Sequence, residues 1–337
     1  MSQKIEEHIL GAFYGQALGD AFGMPSELWP RRRVKEHFDW IDEFLDGPQE
    51  NAAAKYFKAA QITDDTSMAL ALADSITECD GRVDTEVIGG RILDWAESFD
   101  AFSKNILGPT SKVALTAIKS GQSISDIPNL GVTNGAAMRV MPLGCLLPTE
   151  CFDDFYGEVA AASAPTHKSD VSVAGAMVIA WAISMSIDGH PWSKTKSVLP
   201  EIALRAQQKN VNTFSPSLAA RIELALSVTD KKSDDVATSA KIYDLIGTGT
   251  SAIESVPAAI AMVDLAQPDP GRCAELCANL GGDTDTIGAM ATAICGAISG
   301  IGRFDATTLQ RLKTANDFDF ETYAKNFLAY RSARQVR

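Results

Sequence analysis

Two short stretches concentrate the oxygen chemistry of this chain. ITDDTS carries Thr63, Asp64, Asp65 and Thr66, and GGDTDTIG carries Asp283, Thr284, Asp285 and Thr286. Each stands directly before an apolar run with helical period. Asp and Thr are favoured helix caps, and Asp is favourable in a first turn, so either cluster alone has an ordinary structural explanation. A cap uses one side-chain oxygen, however, whereas the two clusters together offer four carboxylates and four hydroxyls. Oxygen donors without His or Cys suit a hard cation such as Mg²⁺, Mn²⁺ or Ca²⁺, not zinc. A cation near two helix N-termini is repelled by their dipoles, and a surplus of aspartates overcompensates that repulsion. The pattern predicts a two-metal site.

The elements that must position these acids read as helices. SMALALADSITECDG, VAGAMVIAWAISMSIDGH, AARIELALSV, ESVPAAIAMVDLAQ and TIGAMATAICGAISG are Ala-rich and of helix length, whereas no run alternates apolar and polar residues between turn signals as a strand would. The expectation is an all-α protein. The stretch GAFYGQALGDAFGMPSE places Gly11, Gly15, Gly19 and Gly23 four apart, and Gly288, Thr292, Gly296 and Gly300 repeat that spacing near the other end of the chain. Small residues on one helix face let a second helix approach closely. The two stripes predict that these helices lie near one another, bringing Glu27 towards Asp283 and Asp285. Asp20 is expected either to support the site or to be a buried acid bonded to backbone amides.

Composition sets the outer bounds. The 337 residues are 46% apolar but only 7% aromatic, enough for a sizeable core filled mostly by Ala, Leu, Ile and Val. A net charge of -13 and a pI near 4.8 argue against nucleic-acid and anionic-membrane partners. Six scattered cysteines suit reduced thiols, and the CAELC pair lacks the further ligands of a zinc site. No secretory leader pattern and no run of about 18 uncharged apolar residues occur, so a cytoplasmic location is expected. The polar and proline-containing breaks are too short to be interdomain linkers, which favours one domain over residues 1–337.

The motifs GxxxGxALGDAFGMPSE, TDDT, GVTNGAAMRVMPLG, APTH, GTGTSAIESVPAA and GGDTDTIGAMA occur in that order between residues 11 and 300. In this combination the chain resembles the ADP-ribosylglycohydrolase family. The resemblance implies an all-α, single-domain orthogonal helical bundle with two Mg²⁺ or Mn²⁺ ions. It implies Thr63, Asp64, Asp65, Asp283, Asp285 and Thr286 as metal ligands, with Thr66 and Thr284 as caps or supports behind them. Glu27 matches an acidic residue beside the metals, and Glu27, Asp283 and Asp285 are the candidates for proton transfer. Asn134, Gly135, Met138 and Arg139 match a segment against the ribose and phosphates, and His167 matches a ligand-side position. Gly108 and Thr110 lie in a segment facing the distal part of the ligand. The chain departs from several members at Thr250 and Ser251, where they carry an aromatic residue.

The implied reaction is hydrolysis at ribose C1 of an ADP-ribosylated protein or small molecule, releasing ADP-ribose. The competing readings are an N-ribosyl hydrolase for a small nucleoside-like substrate and a non-catalytic ADP-ribose binder, which would have lost site acids. The Mg²⁺-dependent isoprenoid synthases are also all-α, but they need spaced DDxxD clusters and an aromatic-lined cavity.

Overall fold

The computed structural model describes residues 2–104, 106–229 and 234–335. Among these residues the secondary structure is helical, with three isolated β-bridges and no strand. The expected all-α class is what the chain forms. At its centre lies the helix Asp170–Ile187, every residue of which is buried. That helix is long and apolar enough to cross a membrane, but here protein surrounds it on all sides. A helix that is apolar all round has to be enclosed by one medium or the other.

The site is positioned by a pair of helices from opposite ends of the chain, Ser2–Gly23 and Thr284–Ser299. Their glycine stripes face each other directly. A Cβ on Gly11, Gly15, Gly19 or Gly23 would run into the backbone of Gly296, Thr292, Gly288 or Thr284 respectively. Conversely, a Cβ on Gly288 would stand 2.5 Å from the Gly19 carbonyl oxygen. Backbones can approach this closely only where no side chain intervenes. Thr292 fastens the contact, its Oγ1 lying 2.5 Å from the Gly15 carbonyl oxygen and 2.6 Å from that of Gly288. On its other side the first helix packs on the helix Phe320–Gln335, where the Phe13 ring meets Phe320, Tyr323 and Phe327.

The two helices end where the acids begin. Thr284 Oγ1 donates to the Gly23 carbonyl at 2.8 Å, and Ser26 Oγ donates to Thr284 Oγ1 at 3.0 Å. The next turn of chain is stitched to the GGD loop by a two-bond bridge: Leu28 N donates to Gly282 O at 2.7 Å, and Gly282 N to Trp29 O at 2.8 Å. Gly281 and Gly282 both have positive φ, and a side chain on either would meet Arg31 or Thr248. These contacts set Glu27 beside the start of the Thr284 helix.

Candidate metal and hydrolase site

Six carboxylates converge where the helices Ser2–Gly23, Asp64–Glu78 and Thr284–Ser299 meet. Glu27, Asp283 and Asp285 each offer a carboxylate oxygen within 4.8 Å of the others. Asp64 and Asp65 begin the helix Asp64–Glu78 and interact electrostatically with the same group, as does Asp20. Neither acid-rich helix is capped by its own N-cap side chain. The N-cap residues Thr63 and Asp283 make no side-chain cap bond. Asp20 caps the Asp64 helix instead, from a different helix. It accepts from Thr63 N (3.0 Å), Thr63 Oγ1 (2.8 Å), Thr66 N (3.0 Å) and Thr66 Oγ1 (2.6 Å). Asp20 is thus a buried acid bonded to backbone amides, and those bonds hold the start of the Asp64 helix. Asp285 Oδ1 accepts from Thr286 N at 2.9 Å and Asp65 Oδ2 from Thr63 Oγ1 at 3.3 Å, so each spends one oxygen within the chain. Asp65 Oδ1 is fully buried with no hydrogen-bond partner.

Concentrated negative charge out of water is costly unless compensated. Burial raises the carboxyl pKa of Asp20 and Asp283 to about 6. Burial, then the charge of Asp20, raises Asp64 to about 7. Burial followed by neighbouring carboxylates holds Glu27, Asp65 and Asp285 well above the ordinary range. The groups that oppose these shifts are hydroxyls, amides and, for Glu27, a hydrogen bond with Asp285, and no basic side chain is among them. The electrostatic demand is for cations from outside the chain, and a set of carboxylate and hydroxyl oxygens fits hard divalent ions.

The sign of the resulting pH dependence follows by linkage. An acid whose folded pKa exceeds its unfolded value ionises first in the unfolded chain, so its contribution to stability falls as pH rises between the two values. For Asp64 that window runs from about pH 4 to about pH 7. In chelator, wild-type protein should lose more thermal stability between pH 5 and pH 8 than Asp64→Asn does. Equal slopes for the two proteins in a differential scanning series would refute this account.

The ligand-side residues divide into two groups. Asn134 reaches the acids: its Nδ2 donates to Asp283 Oδ2 at 2.5 Å and to Ser255 Oγ at 3.0 Å. Its backbone N–H donates to Thr250 O, and Ala252 N to Val132 O, so the GVTN and GTGTS loops are paired. Thr250 is exposed at that junction. Thr110 joins the same wall, its Oγ1 accepting from Thr133 Oγ1 at 3.1 Å, while Gly108 is exposed and a Cβ added there would have nothing within 4 Å.

The other group lies behind the wall. His167 is fully enclosed, with Nε2 2.7 Å from Thr133 Oγ1 and Nδ1 2.8 Å from Thr166 Oγ1. Burial, then the charge of Arg139, lowers its pKa to about 3, so it is neutral. Both ring nitrogens of His167 are used by the chain, and the imidazole braces the loop from inside. Gly135 is glycine for a related reason, since its Cβ would stand 2.6 Å from His167 Cε1. Met138 is likewise buried, at the end of the short helix Gly135–Met138. Arg139 is buried and donates to the carbonyls of Gly135 (2.7 Å), Ala162 (3.3 Å) and Ser163 (3.4 Å). A buried guanidinium at the end of the helix Phe152–Ser163 is held by that helix's carbonyl dipole.

Gln16 was not anticipated. It is buried one turn before Asp20, and its amide donates to Asp65 O at 3.1 Å and Met138 O at 2.8 Å. The spacing of Gln16 and Asp20, beside Gly15 and Gly19, is the signal that would have found it: two polar residues one turn apart on a buried helix.

The comparisons with known proteins agree with this arrangement. An uncharacterized protein of Escherichia coli K12, YegU, is 61% identical over 330 residues, covering 98% of this chain and 99% of that protein. The ADP-ribosylarginine hydrolase Tri1 of Serratia proteamaculans is 25% identical, over 90% of this chain and 74% of Tri1. The ADP-ribosylhydrolase ARH3 of Bos taurus is 24% identical, over 86% of this chain and 84% of ARH3. A solved ADP-ribosylglycohydrolase-related protein complex has the same fold, with a TM-score of 0.69 at 24% identity over 98% of this chain and 99% of that one. The ADP-ribosylglycohydrolase family model matches residues 1–336. With acids from both ends of the chain meeting in one site and a family match from end to end, the chain belongs to the ADP-ribosylglycohydrolase family.

Proposed function

We propose that this chain is a metal-dependent hydrolase that cleaves the glycosidic bond at ribose C1 of an ADP-ribosylated protein or small molecule and releases ADP-ribose. The observation that carries this reading is the Asp65 carboxylate: one oxygen is buried without a partner, in a cluster of six acids that no basic side chain offsets. The two hydrolases named above support the ADP-ribosyl class of substrate. Because the site draws on residues 20 to 286, we read residues 1–337 as one domain.

Asp64, Asp65, Asp283 and Asp285, with the hydroxyls of Thr63 and Thr286, would hold two Mg²⁺ or Mn²⁺ ions. Bound there, hard cations supply the Lewis acidity that vicinal ribose hydroxyls and a nucleophilic water require. The remaining work falls to the protein. Asp20 keeps Thr63 and Thr66 in place, so the start of the Asp64 helix cannot turn away from the site. Asn134 fixes the rotamer of Asp283. Glu27 is partly exposed beside Asp283 and Asp285 and takes the proton from water as its oxygen attacks C1. The C1–acceptor bond breaks, and the proton passes to the departing acceptor.

The exposed Thr250 at the loop junction favours a second reading, a site for a smaller nucleoside-like substrate with no ring platform. A panel separates the readings: ADP-ribosylated arginine, serine and cysteine peptides, O-acetyl-ADP-ribose and simple nucleosides, each with Mg²⁺ or Mn²⁺. Release of free ADP-ribose is the expected result. Ribose released from nucleosides alone would replace the proposal with the second reading. No turnover of any substrate by metal-bound protein would make it a binder.

A further inference from the structure

The connection from the helix Arg31–Phe38 to the helix Asp64–Glu78 runs through residues 39–63 without a helix of its own. Connections this long without secondary structure are uncommon in a compact fold and tend to serve a site. This one is packed rather than loose: Ile41, Phe44, Ala54, Phe57 and Ala60 are buried. In its middle Asn51 is 2% exposed and uses both ends of its side-chain amide. Oδ1 accepts from Ala53 N at 3.1 Å and Ala54 N at 3.4 Å, which shapes the connection itself. Nδ2 donates across to Glu27 O at 2.9 Å and Pro25 O at 3.3 Å.

The turn that receives those bonds is strained. Glu27 has φ -48° and ψ 131°, and Leu28, 52% exposed, follows at φ 57°. A leucine in the left-handed region persists only where the surroundings over-determine it. Gly282 holds the turn through the Leu28 N–H, and Asn51 holds the Glu27 carbonyl. We propose that Asn51 is a positioning residue for Glu27: its amide clamps the Pro25–Leu28 turn so that the Glu27 carboxylate stays beside Asp283 and Asp285. Asparagine is required because one side chain must both donate and accept, which an ionised aspartate cannot do. The inference rests on the role for Glu27 proposed above.

Two variants and two readouts test it. Asn51→Asp keeps the acceptor for Ala53 and Ala54 but loses the donor to Glu27, and Asn51→Ala loses both. In each, kcat for ADP-ribose release should fall about 10–100-fold, the usual cost of removing a group that orients a site residue, with KM little changed. Hydrogen exchange in the peptide spanning residues 24–30 should quicken in both, while Ala53 and Ala54 stay protected in Asn51→Asp. If Asn51→Ala fails to fold, Asn51→Asp decides alone. Unchanged exchange at residues 24–30 together with retained kcat would overturn the inference. So would loss of kcat in Asn51→Asp alone with tighter Mn²⁺ binding, the mark of added charge rather than a lost clamp. If wild-type protein hydrolyses nothing, the proposed function fails, whereas the exchange measurement still decides whether Asn51 holds the turn.

Discussion

Asp65→Asn should make the metal-free protein more stable and the enzyme inactive. The two effects have opposite signs because one carboxylate causes both. Asp65 is 1% exposed, and burial together with Asp20, Asp64 and Asp283 opposes its ionisation. Removing its charge relieves that repulsion at neutral pH, so Tm in chelator should rise. Under the proposed metal-dependent function, its unpartnered Oδ1 is also an oxygen that would hold a cation. Losing it should lower ADP-ribose release by more than about 100-fold, beyond the cost of losing an orienting group alone. Wild-type protein should gain stability on adding Mn²⁺, because a ligand that binds only the folded state stabilises it, and the variant should gain much less. Calorimetry with and without Mn²⁺, run beside the activity assay, reads all three effects. A variant that is destabilised in chelator yet still takes up Mn²⁺ with full stabilisation would mean that Asp65 is an ordinary structural acid.

The features legible in the sequence were those whose residue types carry their own surroundings. A surplus of aspartates before two helices has few uses other than a cation, and glycines four apart on a helix report a close neighbour. Both signals are local in the chain, and the structure bears out what they say of placement: the stripes face each other, and the acids converge. The motifs place His167 and Arg139 next to the ligand segment in sequence, and their inward hydrogen bonds to the chain are what the sequence does not show. A lone histidine after a proline looks the same whether it faces ligand or core. Only the hydroxyls of Thr133 and Thr166, contributed by tertiary structure and by the adjacent residue, distinguish the two. Asn51 carried no signal at all, since an asparagine in an irregular stretch is ordinary turn chemistry until its distant partners are known.

Gly19→Ala should be among the most damaging single-methyl additions in this chain. A Cβ there would overlap the Gly288 carbonyl and the Thr292 hydroxyl, and neither is the free end of a flexible side chain. Thr292 Oγ1 is committed to the Gly15 and Gly288 carbonyls, so it cannot swing aside without breaking the bonds that join the helices. The helices must separate instead. Overpacking typically costs about 1–3 kcal/mol, and a clash against backbone belongs at or beyond the upper end. Separation also moves Asp20 and Glu27, carried by the first helix and its following turn, away from Asp283 and Asp285. Activity should therefore fall further than stability alone explains, even at temperatures where the variant is fully folded. Gly90→Ala is the control: Gly90 lies in the helix Thr85–Ser98 with nothing within 4 Å of an added Cβ. Alanine there should be neutral or stabilising by up to about 1 kcal/mol, from helix propensity and a less flexible unfolded chain. If Gly19→Ala unfolds at the same denaturant midpoint as Gly90→Ala and retains kcat, the helix pair does not assemble the site by backbone contact.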